Sequence, residues 1–308
     1  MGISKVTAVV PSYGHAGYIG KTLESLLGQQ EPPRAIVVVN DGSPDDTDAA
    51  VGPYLNRITY LRQFHQGLAH AVLNGLSLVE TEYVHFIASD DWLEPTALQV
   101  LSRVLDSDPE IGVAHGWRVV EDGDSSHLNG PPLVGKHHNL KLVLSGEYIY
   151  ATPSILWRTA AVRQVQEALN LSFALDYARW MAVLLEGWHC YAVPNVLGHY
   201  RRHARNSSRQ ANYHLMSLDE LRALRFILRH YRHRMTHRQL ATLRVNIHGH
   251  YRDRAWQDLR AGRAERARRR FAHHLRHSPG RWNSIGGWVA ASMPRPVYYW
   301  LRALGTVR

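Results

Sequence analysis

Short apolar runs alternate with segments of helical spacing along the first 90 residues of the chain. Four apolar runs predict strands over residues 6–10, 35–39, 58–61 and 83–87, of which the first two are interpreted as buried. Helical spacing separates them, over residues 19–27, from residue 45 onward, and over 68–79. Strands that are apolar at every position are typical of a parallel sheet covered on both faces. The pattern therefore predicts an α/β fold with a Rossmann-like, mostly parallel sheet flanked by helices.

The pattern beyond residue 112 is less regular. It predicts strands over residues 113–120 and 190–193, the latter ending before Pro194, and helices over 140–150, 160–169 and 176–185. Residues 122–139, rich in Gly, Pro and His, predict a long loop that is either a functional lid or disordered. Nearly all of the chain after residue 212 has helical spacing. We expect an α/β domain over residues 1–210 and a basic helical region over 211–308.

Charge divides the chain in the same place. Residues 201–308 contain 24 arginines and 5 acidic residues, a formal charge of +19, whereas residues 1–200 carry −9. Such a basic region indicates an anionic partner, either lipid head groups or nucleic acid. A single cysteine, Cys190, excludes an intramolecular disulfide, and no apolar run reaches the roughly 20 residues of a membrane span. With no secretory pattern at the N-terminus, a cytoplasmic location is expected.

Polar residues follow three of the predicted strands directly. They are Ser12-Tyr13, Asn40-Asp41 and Ser89-Asp90-Asp91. The carboxyl ends of parallel strands converge on one crevice, and an ionised carboxylate there must stay hydrated, pair with a cation or bind a metal. An aromatic ring, a carboxylate that accepts a base N–H and a metal-binding acid pair are the parts needed to hold a nucleoside diphosphate. Surface loops with solvated acids are the alternative.

Four segments, in their order along the chain, resemble family 2 inverting glycosyltransferases, which have the type-A glycosyltransferase fold. They are VVPSY at 9–13, VVNDGSPDDT at 38–47, GLAHAVLN at 67–74 and IASDDWLEP at 87–95. The resemblance extends over about residues 5–205. It implies an enzyme that transfers a sugar, with a UDP-sugar as the expected donor, to a hydroxyl of a glycan or lipid-linked acceptor in surface polysaccharide biosynthesis.

The resemblance also implies roles for the strand-end residues. Pro11 and Tyr13 would line the nucleotide site, with Tyr13 stacking on or flanking the base, and Asp41 would accept the imino N–H of the base. Asp90 would hold the ribose. Asp91 would ligate Mn²⁺ or Mg²⁺, a hard ion that prefers oxygen ligands and that would bridge the two donor phosphates.

Two further positions match the family pattern. Asp176 corresponds to the catalytic acid and would be the general base for the acceptor hydroxyl. In the closing motif, Arg201 or Arg202 would hold the phosphates, and His203 would be a metal ligand or a diphosphate contact.

This sequence departs from the family pattern at two positions where an acid is common. Ala88 stands where many relatives have an acid, which leaves Asp90 and Asp91, and Asn40 replaces a common Asp. Trp92 is interpreted as a wall of the donor pocket or as core, and Trp180 as core. The histidine pairs at 137–138 and 273–274 are interpreted as solvated surface, because no partners have convincing ligand spacing.

The basic region has two interpretations. Arginines at 263, 266 and 268–270 precede Phe271 and aromatic-rich segments up to residue 301. This order is typical of helices that lie on an anionic membrane, here the inner face of the plasma membrane. The alternative is a helical subdomain packed on the core with an arginine-rich outer face, and a homodimer is compatible with both.

Two other functions compete with sugar transfer. A nucleic-acid-binding protein on an α/β scaffold would explain the arginines but not the strand-end motifs. A nucleotidyltransferase would use acids and a metal, but it needs a glycine-rich loop bearing Lys or Arg after the first strand, and residues 11–15 are not one. Nucleic acid is therefore not the expected partner.

Overall fold

A computed structural model describes residues 4–131, 133–138, 140–145, 153–165, 174–203, 206, 213–277 and 282–293. The strands are β1 (Val6–Ser12), β2 (Ala35–Asn40), β3 (Thr59–Arg62), β4 (Tyr83–Phe86), β5 (Trp92–Leu93), β6 (Ile111–Asp122), β7 (Ser125–Asn129), β8 (Gly135–His137), β9 (Ile155–Arg158) and β10 (His189–Arg202). The helices are α1 (Ile19–Leu27), α2 (Thr47–Val51), α3 (Leu68–Ser77), α4 (Ala97–Ser107), α5 (Leu140–Ser145), α6 (Thr159–Gln164), α7 (Leu175–Leu185), α8 (Tyr213–Tyr231), α9 (His237–Arg260), α10 (Ala264–His277) and α11 (Trp282–Ser292).

One sheet organises the α/β part. Its strand order is β3-β2-β1-β4-β9-β6-β10-β5, with β7 beside β6 and β8 beside β10. The first four strands are parallel, as the apolar pattern predicts. Beyond β4 the sheet is mixed, because β9 runs antiparallel to both of its neighbours whereas β6 and β10 are parallel. The predicted α/β fold is confirmed, with a sheet that is parallel only in part.

Strands β1, β2 and β4 are buried on both faces, whereas β3, at the edge of the sheet, is exposed or half-buried. In β1, Val9 belongs to a core that includes α3 and α7, whereas Ala8 and Val10 belong to a second core that includes α1 and α4. Successive side chains of a strand point to opposite faces, so a strand between two helical layers needs an apolar residue at every position.

Two predictions between residues 122 and 202 are wrong. The loop predicted over 122–139 contains β7 and β8, which pair with β6 and β10. Every residue of β7 is exposed, so no apolar run marks this strand. The strand predicted to end before Pro194 continues to Arg202, because register shifts around Val196 accommodate the proline, which lacks an N–H.

The C-terminal helices pack on the rest of the protein. Leu224 and Ile227 of α8 and Leu243 of α9 belong to the same hydrophobic core as α7, and Phe271 of α10 is fully buried in a second cluster with α9 and α11. Arg263 and Arg270 both pair with the buried Asp258. Among the described residues, α10 therefore fits the packed alternative, and the boundary between residues 210 and 211 stays a prediction.

None of the helices in the described part of the chain is both long enough and apolar enough to cross a bilayer. The aromatic segment predicted near residues 297–301 lies outside the described residues.

Two helical glycines give a stability test of the α3–sheet packing. A Cβ on Gly75 of α3 would lie 2.4 Å from Val9 Cγ1 of the sheet, whereas a Cβ on Gly249 of α9 would meet nothing within 4 Å. We expect Gly75→Ala to lower the free energy of unfolding by about 1–3 kcal/mol through overpacking. Gly249→Ala, the matched control, should raise it by up to about 1 kcal/mol through helix propensity. Urea denaturation measures both, and a Gly75→Ala variant as stable as the wild type would contradict the packing.

Candidate active site

The predicted polar residues lie at one edge of the sheet. Strand β1 lies between β2 and β4, so the segments that follow these three strands are neighbours. They carry Tyr13, Asp41 and the Asp90–Asp91 pair, and Pro11 is the penultimate residue of β1. The strand order reverses direction between β1 and β4, which is where open α/β sheets form a ligand crevice.

Asp41 is a buried carboxylate with many donors. Its Oδ1 accepts hydrogen bonds from Gln63 Nε2 at 2.7 Å and from the backbone N–H of Gln66 at 2.8 Å. Its Oδ2 accepts from the backbone N–H of Gly67 at 2.8 Å and lies 2.9 Å from His65 Nδ1. These four contacts fill the acceptor positions of a carboxylate. In this conformation Asp41 holds the 63–67 segment in place, and its predicted contact with a base N–H requires one of these donors to leave.

Gly42 explains how the chain turns beside this carboxylate. It has φ of +69°, and a Cβ at this position would lie 2.9 Å from the backbone nitrogen of His65. Only glycine combines that conformation with so close an approach of two backbone segments.

Tyr13 forms a flat aromatic surface with a residue that sequence reasoning missed. Its ring stacks on His65, with centroids 4.1 Å apart and an interplanar angle of 27°. Tyr13 is 46% exposed, so part of its surface remains accessible to a planar ligand such as a base. His65 carries no signal in the sequence, because its position depends on the pairing of β3 with β2 and on the Asp41 contacts that follow it.

The two adjacent acids have different surroundings. Asp91 is fully buried, and its Oδ1 accepts a hydrogen bond from the backbone N–H of Arg201 at 3.0 Å. Its Oδ2 is buried and has no hydrogen-bonding partner among the residues that the structure describes. Burial, reinforced by the charge of Asp90, raises the pKa of Asp91 well above the usual range, against the opposing effect of the Arg201 N–H.

Asp90 faces the histidines of the site. Its Oδ2 lies 2.9 Å from His203 Nε2, 3.9 Å from His15 Nε2 and 3.1 Å from the amide Nδ2 of Asn206. His15 is anchored in turn by Ser89, whose Oγ lies 2.9 Å from His15 Nδ1.

His15, Asp90 and His203 are arranged as metal ligands. One potential ligand atom from each lies within 4.8 Å of the others. Two imidazoles and a carboxylate favour a divalent transition ion over Mg²⁺ or Ca²⁺, which prefer oxygen ligands alone. The sequence predicts Asp91 and His203 as the metal ligands, but the structure places His203 beside Asp90 and turns Asp91 toward the Arg201 backbone. His15, two residues after Tyr13, was not predicted.

The two arginines of the closing motif point in different directions. Arg201 Nε donates to the Asp90 carbonyl oxygen at 3.0 Å, and its guanidinium lies 4.6 Å from the centroid of the Trp92 ring. Arg202 is exposed and lies 3.5 Å from Asp122. Arg201 is therefore the one beside the acid pair, and the half-buried Trp92 is part of the wall next to it.

Asp176 lies in the first turn of α7. Its Oδ1 is 3.5 Å from Nη1 of the buried Arg179, whose guanidinium lies 4.3 Å from the centroid of the Phe86 ring. Phe86 ends β4, so this turn of α7 lies at the same end of the strand as the acid pair. Burial raises the pKa of Asp176, and the charges of Arg179 and Arg118 oppose the shift.

Arg118 of β6 acts on both carboxylates. Its positive charge lowers the pKa of Asp91 and that of Asp176 against the larger effect of burial. These shared electrostatics indicate that the two acids face a common region. No motif marked Arg118, because its role depends on where β6 passes through the sheet.

Comparisons with known sequences identify a family. A family model described as Glycosyl transferase family 2 matches residues 7–159. The glycosyltransferase GlyA of Streptococcus pneumoniae is 34% identical over 115 residues, which cover 36% of this chain and 16% of GlyA. The putative glycosyltransferase EpsH of Bacillus subtilis is 29% identical over 177 residues, covering 55% of this chain. The chain thus spans only half the length of EpsH and less of GlyA.

Solved structures share the fold. Residues 1–349 of the S. aureus protein TarS, in complex with UDP-GlcNAc, have a TM-score of 0.61 and 18% identity, and the alignment covers 97% of this chain and 87% of that 1–349 chain. The mannosyltransferase PcManGT of Pyrobaculum calidifontis, in complex with GDP-Man and Mn²⁺, has a TM-score of 0.59 and 15% identity. That alignment covers 98% of this chain and 84% of PcManGT.

The buried Asp91 predicts a pH-dependent stability in the metal-free protein. Its folded pKa lies above the value of about 4 in the unfolded chain, so the free energy of unfolding falls as pH rises through that interval. Asp91→Asn cannot ionise, and an amide costs less to bury than a charged carboxylate. We expect this variant to exceed the wild type at pH 7 by about 0.5–2 kcal/mol, with the difference vanishing near pH 4.

Urea denaturation at several pH values, with chelator present, measures this difference. Asp122→Asn, which removes an exposed carboxylate, controls for the loss of one negative charge. Parallel pH profiles for Asp91→Asn and the wild type would contradict the buried-acid assignment.

Proposed function

Because the chain belongs to glycosyltransferase family 2, we propose that it transfers a sugar from a nucleotide-diphosphate donor, with UDP-sugar as the expected donor, to a hydroxyl of a glycan or lipid-linked acceptor. The observation that carries this proposal is the shared location of three parts at one edge of the sheet. They are the stacked Tyr13 ring, the histidine–carboxylate cluster around Asp90, and Asp176 on α7. A role in surface polysaccharide biosynthesis, in the cytoplasm, is part of the proposal.

The residues after β1, β2 and β4 would bind the donor. Tyr13 would stack on the base, and Asp41 would hold the segment that forms the other side of that pocket. His15, Asp90 and His203 would hold a divalent ion, which would supply positive charge to stabilise the departing diphosphate. The TarS complex with UDP-GlcNAc and the PcManGT complex with GDP-Man and Mn²⁺ support this use of the crevice. Arg201, beside Asp90, would contact the phosphates.

Asp176 would activate the acceptor. Its carboxylate would take the proton from the acceptor hydroxyl as that oxygen attacks the anomeric carbon and the bond to the diphosphate breaks. A single displacement of this kind inverts the anomeric centre. Burial raises the pKa of Asp176, which makes its carboxylate a stronger base, and Arg179 holds the side chain in orientation.

The base assignment predicts a separation of binding from transfer. We expect Asp176→Asn to bind the donor nucleotide within about twofold of the wild type, because the substitution is isosteric and lies outside the donor contacts. Transfer should fall by about 10²–10⁴-fold, the usual contribution of a general base. Calorimetry with UDP and a product assay measure the two effects, and full transfer activity in this variant would refute the assignment.

Asp90→Asn is the variant to compare with Asp176→Asn in these binding and transfer assays. It removes one carboxylate charge from the histidine cluster, so it should abolish the Mn²⁺-dependent increase in nucleotide affinity. If Mn²⁺ increases nucleotide affinity in Asp90→Asn as much as in the wild type, the metal site does not include Asp90.

A groove lined by arginines supports the proposal that this protein binds an anionic surface. Its volume is about 760 Å³, it lies between α8 and α9, and it is lined by Arg222, Arg225, Arg229, Arg232 and Arg244. Within the described residues, only Arg222 of these five has an ion-pair partner, Asp219. Arginines contribute about 1 kcal/mol each at an anionic leaflet. We propose that this groove, rather than the packed α10, faces anionic lipid, and the homodimer stays a prediction.

Vesicle co-sedimentation tests the basic groove. We expect binding to vesicles rich in phosphatidylglycerol and release by salt, with Arg225→Glu/Arg229→Glu weakening binding by about tenfold or more. Arg266→Glu/Arg268→Glu, on the exposed side of α10, is the matched control and should keep most of the affinity. Equal loss in both pairs would indicate non-specific charge, and tight salt-sensitive binding to duplex DNA instead would favour the nucleic-acid alternative.

A further inference from the structure

A second histidine cluster lies on the C-terminal helices. His273 and His277 are one turn apart on α10, and they face His248 of α9. One potential ligand atom from each lies within 4.8 Å of the others. These helices follow the sheet in the chain and contribute no residue to the crevice around Asp90.

The three rings are in mutual contact. His248 and His277 stack with centroids 4.4 Å apart, His273 and His277 lie 4.7 Å apart, and His248 and His273 lie 5.5 Å apart. The sequence interpretation of His273 and His274 as solvated surface is wrong, since His273 is half-buried and His274 is only 3% exposed. Residues at i and i+4 share a helix face, but only the packing of α10 on α9 supplies the third ring.

Hydrogen bonding leaves ring nitrogens available. His277 Nδ1 lies 3.0 Å from the His273 carbonyl oxygen, which can only accept, so Nδ1 carries the proton and Nε2 presents a lone pair. This carbonyl contact is the usual outer support of a metal-bound histidine. His248 Nδ1 is buried and has no hydrogen-bonding partner in the described part of the chain, a cost that a bound ion would remove.

The electrostatics favour neutral rings. Burial, followed by the neighbouring histidines and Arg244, lowers the pKa of His248 to about 4. Burial, His277, Arg276 and Arg225 lower the pKa of His273. Neutral imidazole is the form that binds metals. The same arginines oppose any cation, so binding has to come from nitrogen–metal bonds rather than from Coulomb attraction.

We propose that His248, His273 and His277 form a binding site for a divalent transition metal ion, of which Zn²⁺ is the probe of choice, and that the ion links α9 to α10. Three imidazoles without a carboxylate select Zn²⁺, Ni²⁺, Co²⁺ or Cu²⁺ over Mg²⁺ and Ca²⁺, which require oxygen ligands. Three protein ligands leave a tetrahedral position for water. The site is independent of the proposed sugar transfer, and the failure of either proposal would leave the other unaffected.

The test uses the full chain, free of any polyhistidine tag and stripped of metal. Because the cluster around Asp90 can also take Zn²⁺, the comparison is made in the Asp90→Asn background. We expect Asp90→Asn to bind one equivalent of Zn²⁺ by calorimetry and to gain thermal stability from it. Adding His277→Ala should weaken Zn²⁺ binding by about 100-fold. Loss of an outer-shell partner alone typically lowers metal affinity 10- to 100-fold, and His277 is a direct ligand in this proposal. His277 is exposed, so its removal leaves the fold intact.

His237→Ala, at the exposed start of α9, is the matched control and should leave affinity and stoichiometry unchanged in the same background. Absorption of the Co²⁺-loaded protein reports nitrogen coordination directly, and its visible bands should disappear with His277→Ala. The proposal is overturned if Asp90→Asn binds no Zn²⁺, or if Asp90→Asn with and without His277→Ala bind it equally.

Discussion

The site depends on the burial of one carboxylate at the end of β4. Asp91 lies where an ion cannot be hydrated, and the Arg201 backbone N–H gives one of its oxygens a donor. This bond ties the end of β10 to the end of β4. Because Asp91 is hydrogen-bonded to the backbone N–H of Arg201, the adjacent Asp90 is the acid that faces His15 and His203. Two identical residues next to each other in the chain thus have different roles, set by what surrounds each.

Bringing β10 to that position shapes the middle of the sheet. The strand runs 14 residues, passes Pro194 through register shifts, and pairs with β6 along most of its length. Its pairing with β5 places His199 against Trp92, with ring centroids 4.7 Å apart. Arg201 and His203 reach the acid pair only because the irregularity near Val196 lets the strand continue.

Asp41 shows how a buried acid can organise a pocket without touching a ligand. Its four donors come from the 63–67 segment, which strand pairing between β2 and β3 brings to the end of β2 and which the Asp41 carboxylate then holds in place. That arrangement positions His65 on the Tyr13 ring.

The two histidine clusters also differ in chemistry: the one beside the sheet includes a carboxylate, and the one between α9 and α10 has imidazoles alone. Their metal preferences are expected to differ for that reason.

By itself, the sequence determined the strands β1 to β4, their intervening helices and the acids that follow them, because continuous apolar runs and strand-end charges are local signals. Tertiary structure alone decided β7 and β8, whose exposed or short polar sequences carry no such signal, and the antiparallel placement of β9. It also decided which acid faces His203, and it added His15, His65 and Arg118 to the site. These outcomes depend on contacts between residues far apart in the chain, where burial and hydrogen-bond partners, and not residue type or spacing, determine what each side chain can do.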